Sequence, residues 1–453
     1  MMLNSQDIIV IGGNVAGPSA AAKAKRTNPN SNVILFEAGE YISTGSCQLP
    51  YILSGEIKDY SDLIMYSPER FLDEKKVLVK TNTVVKEIDR RNKQILYYDN
   101  QSNTSNIQKY DKLVLCTGSN SKKNGLITEN IKNVFYLKTI KNFLDINSFL
   151  EKNFVKNITI IGAGYIGLEV VEALISRGYV INLIEKKNLP LFDFDEEVSK
   201  MIFEKLSTKG INFYPNIENL QFDSKDGYVK NIRILNQELL HTDLVLTATG
   251  FEPNNLLAHS AKLDIGKYGG LKVDNKLRTS DTNIFAAGDN TELINCVTNR
   301  PDYFPFATIA HDCGHIAGAN AAGNNLTIQS VVKNVSLSLF DYSINKVGLN
   351  QNEVINHGYN YKTQDATVYN KSKNFNHRMM CYAKMIYQKD TYKILGASFI
   401  GGEEVIGMGN LISFMIKNNI GANKLTNTNF SYTPKLSSMI NILEILGRKI
   451  LQN

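Results

Sequence analysis

Tryptophan is missing from the 453 residues, and cysteine is scarce: Cys47, Cys116, Cys296, Cys313 and Cys381. An odd count with no Cys-x-x-Cys pair argues against a disulfide-stapled secreted fold and points to a reducing, cytoplasmic setting. No apolar run reaches the about 18 residues a membrane helix needs, so no membrane association is expected. The stretch from Asp7 to Ala22 lacks the basic start of a signal peptide, and Gly12, Gly13, Asn14 and Gly17 interrupt it. Long runs of like charge are also lacking. The 50 basic and 44 acidic side chains leave a formal charge of +6, too small an excess to imply a nucleic-acid partner.

What is present is an ordinary globular balance, 43% hydrophobic and 21% charged, in a length that suits roughly three domains. Two segments repeat one pattern. Ile8–Ile11 reads as a short strand, followed by a glycine turn, an alanine-rich helix and a strand Val33–Phe36 ending at Glu37. Ile158–Ile161 starts the same series: a glycine turn, a helix through about Arg177, then a strand Val180–Ile184 ending at Glu185. Each is a βαβ unit, and two of them imply two dinucleotide sites. Further strands end in small residues: Lys112–Leu115 before Thr117-Gly118, Leu244–Leu246 before Thr249-Gly250, and Asn283–Ala286 before Gly288-Asp289. Doubly wound sheets hold ligands at such strand ends. After about Asn325 the alternating stretches Ser336–Tyr342, Met379–Tyr387 and Ile394–Phe399 precede a helix near Leu411–Lys417, which predicts a mixed α+β domain.

Gly162-Ala-Gly164-Tyr-Ile-Gly167 is a complete GxGxxG between a strand and a helix. The first glycine allows the tight turn, the second lets a pyrophosphate approach, and the third lets helix and strand pack. The pyrophosphate would sit on the helix start, with Glu185 about 20 residues on to hold the ribose hydroxyls. The first loop, Gly12-Gly-Asn14-Val-Ala-Gly17, has Asn14 in the middle glycine's place, and Glu37 follows at a similar distance.

These motifs, together with Ser43-Thr-Gly-Ser-Cys47-Gln-Leu-Pro-Tyr51, Tyr110-Asp-Lys-Leu-Val-Leu-Cys-Thr-Gly118, Ala286-Ala-Gly-Asp289, Phe340-Asp-Tyr342 and Tyr432-Thr-Pro434, give the chain its family likeness. It resembles the single-cysteine branch of the FAD-dependent pyridine nucleotide–disulfide oxidoreductases. That branch holds coenzyme A disulfide reductases, NADH oxidases and NADH peroxidases. The resemblance implies an α/β chain with two Rossmann-type domains, the FAD domain interrupted by the NAD(P) domain, and a C-terminal α+β dimerisation domain. The boundaries expected are 1–120 and 244–325 for FAD, 121–243 for NAD(P), and 326–453 for dimerisation. FAD is expected on the first loop, with Gly12, Gly13 and Gly17, on Glu37 and on Asp289. The nicotinamide cofactor, NADH ahead of NADPH, is expected on the second loop, with Gly162, Gly164 and Gly167, and on Glu185. Val85, Thr117, Gly118, Glu169, Gly250, Gly288 and Pro305 are further expected cofactor contacts.

Cys47 occupies the position of the family's redox cysteine. A thiolate is the nucleophile in disulfide exchange. No second cysteine follows within four or five positions and no histidine occurs after His377, so neither the internal dithiol nor the His-Pro pair of the dithiol branch is available. A lone cysteine can form a mixed disulfide or cycle through a sulfenic acid. Cys116 and Cys381 read as packing residues. In His311-Asp-Cys313-Gly-His315 a helix would put the histidines on one face and Cys313 on another, so no metal is expected; this reads as the helix whose start, after Pro305, faces the flavin.

For the acceptor, the resemblance implies a proton-donating histidine at position 15 in the oxidases and peroxidases; Val15 cannot serve. Ser19, Lys23, Arg26 and Ser43 match coenzyme A contacts of the reductases, and Tyr432 matches a tyrosine near the mixed disulfide, contributed by the partner of a homodimer. Two expected contacts have no counterpart: a His-x-x-Tyr-Tyr-Pro stretch is reduced to Asn374-Phe375-Asn376, and Lys435 falls too early for the family lysine. The expectation is an NAD(P)H-dependent FAD reductase of a small disulfide, coenzyme A disulfide first. The alternatives are an NADH oxidase or peroxidase acting on oxygen or peroxide, an NADH-sensing flavoprotein, and an electron-transfer reductase, which needs no Cys47.

Overall fold

The chain is described here from a computed structural model covering residues 5–123, 131–234 and 239–452. Two parallel five-stranded sheets and one antiparallel sheet make up its framework. In the first, Leu78–Lys80, Asn32–Phe36, Asp7–Ile11, Lys112–Leu115 and Ile284–Ala286 lie side by side in that order. Alternation divides each strand between two cores, as the two-residue period of a strand requires. Ile8, Val10, Val33 and Leu35 face the helices Ala16–Thr27 and Ala307–Ala321. Ile9, Ile11, Ile34 and Phe36 face a three-stranded meander with Val85, Ile95 and Tyr97. The two helices pack through small residues: a Cβ on Gly314 would stand 2.2 Å from the Ala16 carbonyl oxygen, and one on Gly318 2.0 Å from that of Ala20. The alanine-rich composition of the first helix is thus a close-packing device.

The second sheet runs Asn212–Tyr214, Val180–Ile184, Asn157–Ile161, Leu244–Thr247, Val134–Tyr136, again all parallel. Leu244–Thr247 pairs with Ile158–Ile161, which corrects the expected boundary between residues 243 and 244. That strand is apolar and four residues long, like its neighbours, and nothing in its composition distinguishes which of two similar sheets it joins. The chain returns to the first domain along a two-stranded ribbon, Ser119–Ser121 against Phe251–Pro253.

The C-terminal sheet is antiparallel in the order Asn334–Leu339, Tyr342–Gly348, Ile394–Gly401, Met380–Gln388, Tyr361–Tyr369. The expected single stretch Ser336–Tyr342 is a hairpin instead, with Phe340 at φ 56° making the turn. The helix expected near Leu411 begins at Glu404; its glycines hide it in the sequence. Gly409 is required there, because a Cβ would stand 1.9 Å from Asn345 Oδ1 in the sheet below. No helix among the described residues is long and apolar enough to cross a membrane.

Candidate functional site

The two glycine loops are built alike. Gly12 and Gly162 take φ of 106° and 105°, where only glycine is unstrained. A Cβ on Gly17 would stand 1.7 Å from the Gly12 oxygen, and one on Gly167 1.9 Å from that of Gly162. A Cβ on Gly164 would meet nothing within 4 Å, leaving that approach open. The helices that follow, Ala16–Thr27 and Tyr165–Ile175, have no side-chain cap and no acid in the first turn. Their leading N–H groups are therefore free for an anion.

The acids at the ends of the second strands also match. Glu37 accepts from the N–H groups of Gly13 and Gly39, both at 2.6 Å. Glu185 accepts from Ala163 at 2.7 Å and Lys187 at 2.9 Å. Each carboxylate is thereby fixed beside its glycine loop. Gly118, Gly250 and Gly288 take positive φ, and a Cβ on Gly118 or Gly250 would meet nothing within 4 Å. Thr117 donates to the Asn254 carbonyl at 2.6 Å and ties the ends of the interdomain ribbon. Val85 is buried with Ile11 and Phe36, and Pro305 stands just before the helix Ala307–Ala321.

Cys47 lies in a single helical turn, Ser46–Gln48, leading into the helix Leu49–Ser54. It is exposed, whereas Cys116, Cys313 and Cys381 are buried. Burial around the sulfur, then the carboxylates of Glu169 and Asp289, push the Cys47 thiol up; the Lys138 ammonium acts the other way. Burial, then Glu172, push Glu169 up to about 7. Lys138 donates to the Ser119 hydroxyl at 2.8 Å, and Ser119 to Asp289 Oδ2 at 2.9 Å. Lys138 also sits over the Phe251 ring at 3.8 Å. This cation comes from the second domain, and no motif announces it.

Asn14, the departure from the glycine pattern, is a bridge. It accepts from the Thr44 hydroxyl and donates to that of Ser46, both at 2.9 Å, fastening the first glycine loop to the Cys47 segment. Beside it opens a cavity of about 320 Å³ lined by Val15, Ser19, Arg26, Ser43, Lys75 and His311, among others. The Ser43 hydroxyl is buried without a partner, a polar group left for a ligand. Three of the four residues expected to hold a substrate thus share one cavity. Lys23 lies close by: burial, then Lys23, Arg26 and His311, depress the neighbouring His315. Lys75 and His315 also line the cavity, although no sequence motif placed them there; both are brought in by chain folding from far along the sequence. Tyr432 stands 48% exposed in the C-terminal segment and is not part of this lining. Among the described residues no group of three His, Cys, Asp or Glu side chains is placed to hold a metal.

Residues 6–312 match the family described as pyridine nucleotide-disulphide oxidoreductase, and residues 336–443 match its dimerisation domain. The chain belongs to this family. Its relatives include an NAD(P)H sulfur oxidoreductase (CoA-dependent) of Pyrococcus abyssi, 28% identical over 97% of both chains. A coenzyme A disulfide reductase of Staphylococcus aureus is 26% identical over 98% of this chain and 99% of the relative. Among solved structures, reduced Bacillus anthracis CoADR-RHD superposes with a TM-score of 0.94 at 25% identity, over 100% of this chain and 81% of that one. The water-forming NADH oxidase of Lactobacillus brevis gives 0.91 at 25% identity, over 99% of both.

The enzyme is an NAD(P)H-dependent flavin oxidoreductase of two dinucleotide-binding domains and a dimerisation domain, and the latter suggests a homodimer. The two uncapped helix starts, each preceded by a turn whose first glycine (Gly12 or Gly162) leaves no room for a side chain, fit two dinucleotides.

Proposed function

We propose that this oxidoreductase reduces a small anionic disulfide through Cys47, and that coenzyme A disulfide is the substrate. One observation carries the reading: a cavity edged by Arg26, Lys75, His311 and His315 runs up to Thr44 and Gly45, beside the exposed Cys47. The Arg26 and Lys75 cations suit the phosphates of a coenzyme, whereas oxygen and peroxide need none. Val15, on the same wall, offers no proton to a peroxide.

Gly12, Gly13, Gly17, Glu37 and Asp289 hold FAD in this reading, and Gly162, Gly164, Gly167 and Glu185 hold NADH. Together the two cofactors supply hydride and electron-pair chemistry. The Cys47 thiolate attacks one sulfur of the disulfide; a Cys47–sulfur bond forms, the substrate's sulfur–sulfur bond breaks, and one thiolate leaves. Two electrons, ultimately from NADH, then cleave the mixed disulfide, restoring the Cys47 thiolate and releasing the second thiol. Lys138 offsets the carboxylates of Glu169 and Asp289 that oppose a thiolate at Cys47. Tyr432 of the partner subunit protonates the second thiolate as it departs. Glu185 favours NADH, because a carboxylate repels a 2′-phosphate; Lys186 is drawn to Glu218 at 3.6 Å rather than held at that position.

Steady-state assays with coenzyme A disulfide, oxygen or peroxide as sole acceptor test this reading. NADH loss is expected to depend on the disulfide and to release two thiols for each NADH. Equal loss with oxygen or peroxide alone would instead mark an NADH oxidase or peroxidase.

A further inference from the structure

A fully buried lysine lies where the C-terminal domain meets the nicotinamide domain. Lys346, on the strand Tyr342–Gly348, has 0% exposure. Its ammonium donates to the Asp193 carbonyl and, at 3.0 Å, to Glu353 Oε2. Asn350 donates to the same carbonyl at 2.8 Å. Two residues on, Asp195 accepts from the Gln351 N–H at 2.9 Å and from the Ser398 hydroxyl. An ammonium cannot stay buried unless such partners remain in place, so the stretch Asp193–Asp195 is held firmly.

The other side of this stretch faces the second glycine loop. Asp193 Oδ2 accepts from the Tyr165 hydroxyl, and the Phe194 ring packs 5.8 Å from that of Tyr165. Burial, then the Asp193 carboxylate, push the Tyr165 phenol far up, so it remains the donor. Tyr165 is the first residue of the helix after Gly164, and that helix start has no side-chain cap and no acid in its first turn. A continuous chain of contacts thus runs from the C-terminal sheet through Asp193 to the helix start.

We propose that Asp193 is a positioning residue for the nicotinamide dinucleotide: through the Tyr165 hydroxyl it lets the C-terminal domain fix the helix start at Gly164–Tyr165 and so sets the affinity for NADH. This rests on the second loop holding NADH and is independent of the acceptor. Ordinary packing at a domain junction would require neither a link to the loop nor an effect on affinity.

Equilibrium titration of the flavin-loaded enzyme with NADH tests it, with flavin content and melting temperature as controls for folding. Asp193→Ala and Tyr165→Phe cut the link from either side, and each is expected to weaken NADH by about tenfold, the scale of a hydrogen bond to a charged group. The double variant is expected to be no weaker than either single one, since they break one contact. Asp193→Asn keeps an acceptor and is expected to recover most of the affinity. Asn350→Ser keeps the helix cap but loses the bond to Asp193; it is expected to weaken NADH in the parent and to have no effect beside Asp193→Ala. Lower melting temperatures with unchanged NADH affinity, or additive losses in the double variant, would overturn the proposal. Glu185→Ala distinguishes the levels: if it too leaves NADH affinity unchanged, the second-loop reading fails as well.

Discussion

Cys47 was legible in the sequence because its neighbours form a motif; its electrostatic setting was not. Glu169, Asp289 and Lys138 come from three distant stretches, and only folding brings their charges to bear on the sulfur. The same holds for the cations lining the cavity beside Asn14, where Lys75 stands far along the chain from Arg26. Glu169 gives a pH prediction with a definite sign. Its folded pKa of about 7 lies above the ordinary 4.5, so the native state holds an extra proton between those values. Stability from this group is therefore lost as pH rises through that window. Glu169→Gln is expected to raise the melting temperature at about pH 8 more than at about pH 5. Removing the negative charge should also make the Cys47 thiolate easier to form. Iodoacetamide alkylation of Cys47 in Glu169→Gln should then shift to lower pH, while Cys313 and Cys381, pushed up to about 12 by burial and then by neighbouring acids, stay unmodified. An unchanged alkylation profile would mean that Glu169 does not act on the sulfur. At Glu185 the expected outcome is a several-fold higher kcat/KM for NADH than for NADPH, and Glu185→Ala should narrow that ratio. A preference for NADPH would show that Lys186 and Lys187 prevail.

At the scale of the element, the two βαβ units were legible because hydrophobic runs, glycines and a terminal acid recur together. What failed were positions that the pattern leaves undetermined. Leu244–Thr247 reads as a strand in either domain, and Phe340-Asp341 turns without the glycine or proline that marks most turns. The glycine loops give an element-scale prediction. In Gly167→Ala the new Cβ overlaps the Gly162 oxygen, and the helix must shift away from its strand. Overpacking of this kind costs about 1–3 kcal/mol, and the shift moves the helix start. NADH affinity should fall more than tenfold, by order of magnitude, while bound flavin stays at the parent level, because the first loop is untouched. Loss of both together would mean that the two loops are not independent sites.

At the scale of the molecule, the order of domains followed from the sequence, but the way they lock together did not, since buried polar links such as Lys346 with Asp193 leave no periodic signal. The C-terminal third exposes Phe414, Leu436 and Met439 at 59, 68 and 74%, apolar side chains that a second copy could cover. Light scattering is expected to give a dimer, and Tyr432→Phe should slow release of the second thiol while leaving NADH affinity unchanged. A stable, fully active monomer would remove the role given to a partner's Tyr432. Rapid mixing of Cys47→Ser with NADH, followed by coenzyme A disulfide, tests the single-cysteine chemistry most directly. The variant should bind FAD and bleach with NADH at the parent rate, lack the long-wavelength thiolate-to-flavin charge-transfer band, and fail to reduce the disulfide. Disulfide turnover at the parent rate in Cys47→Ser would contradict it.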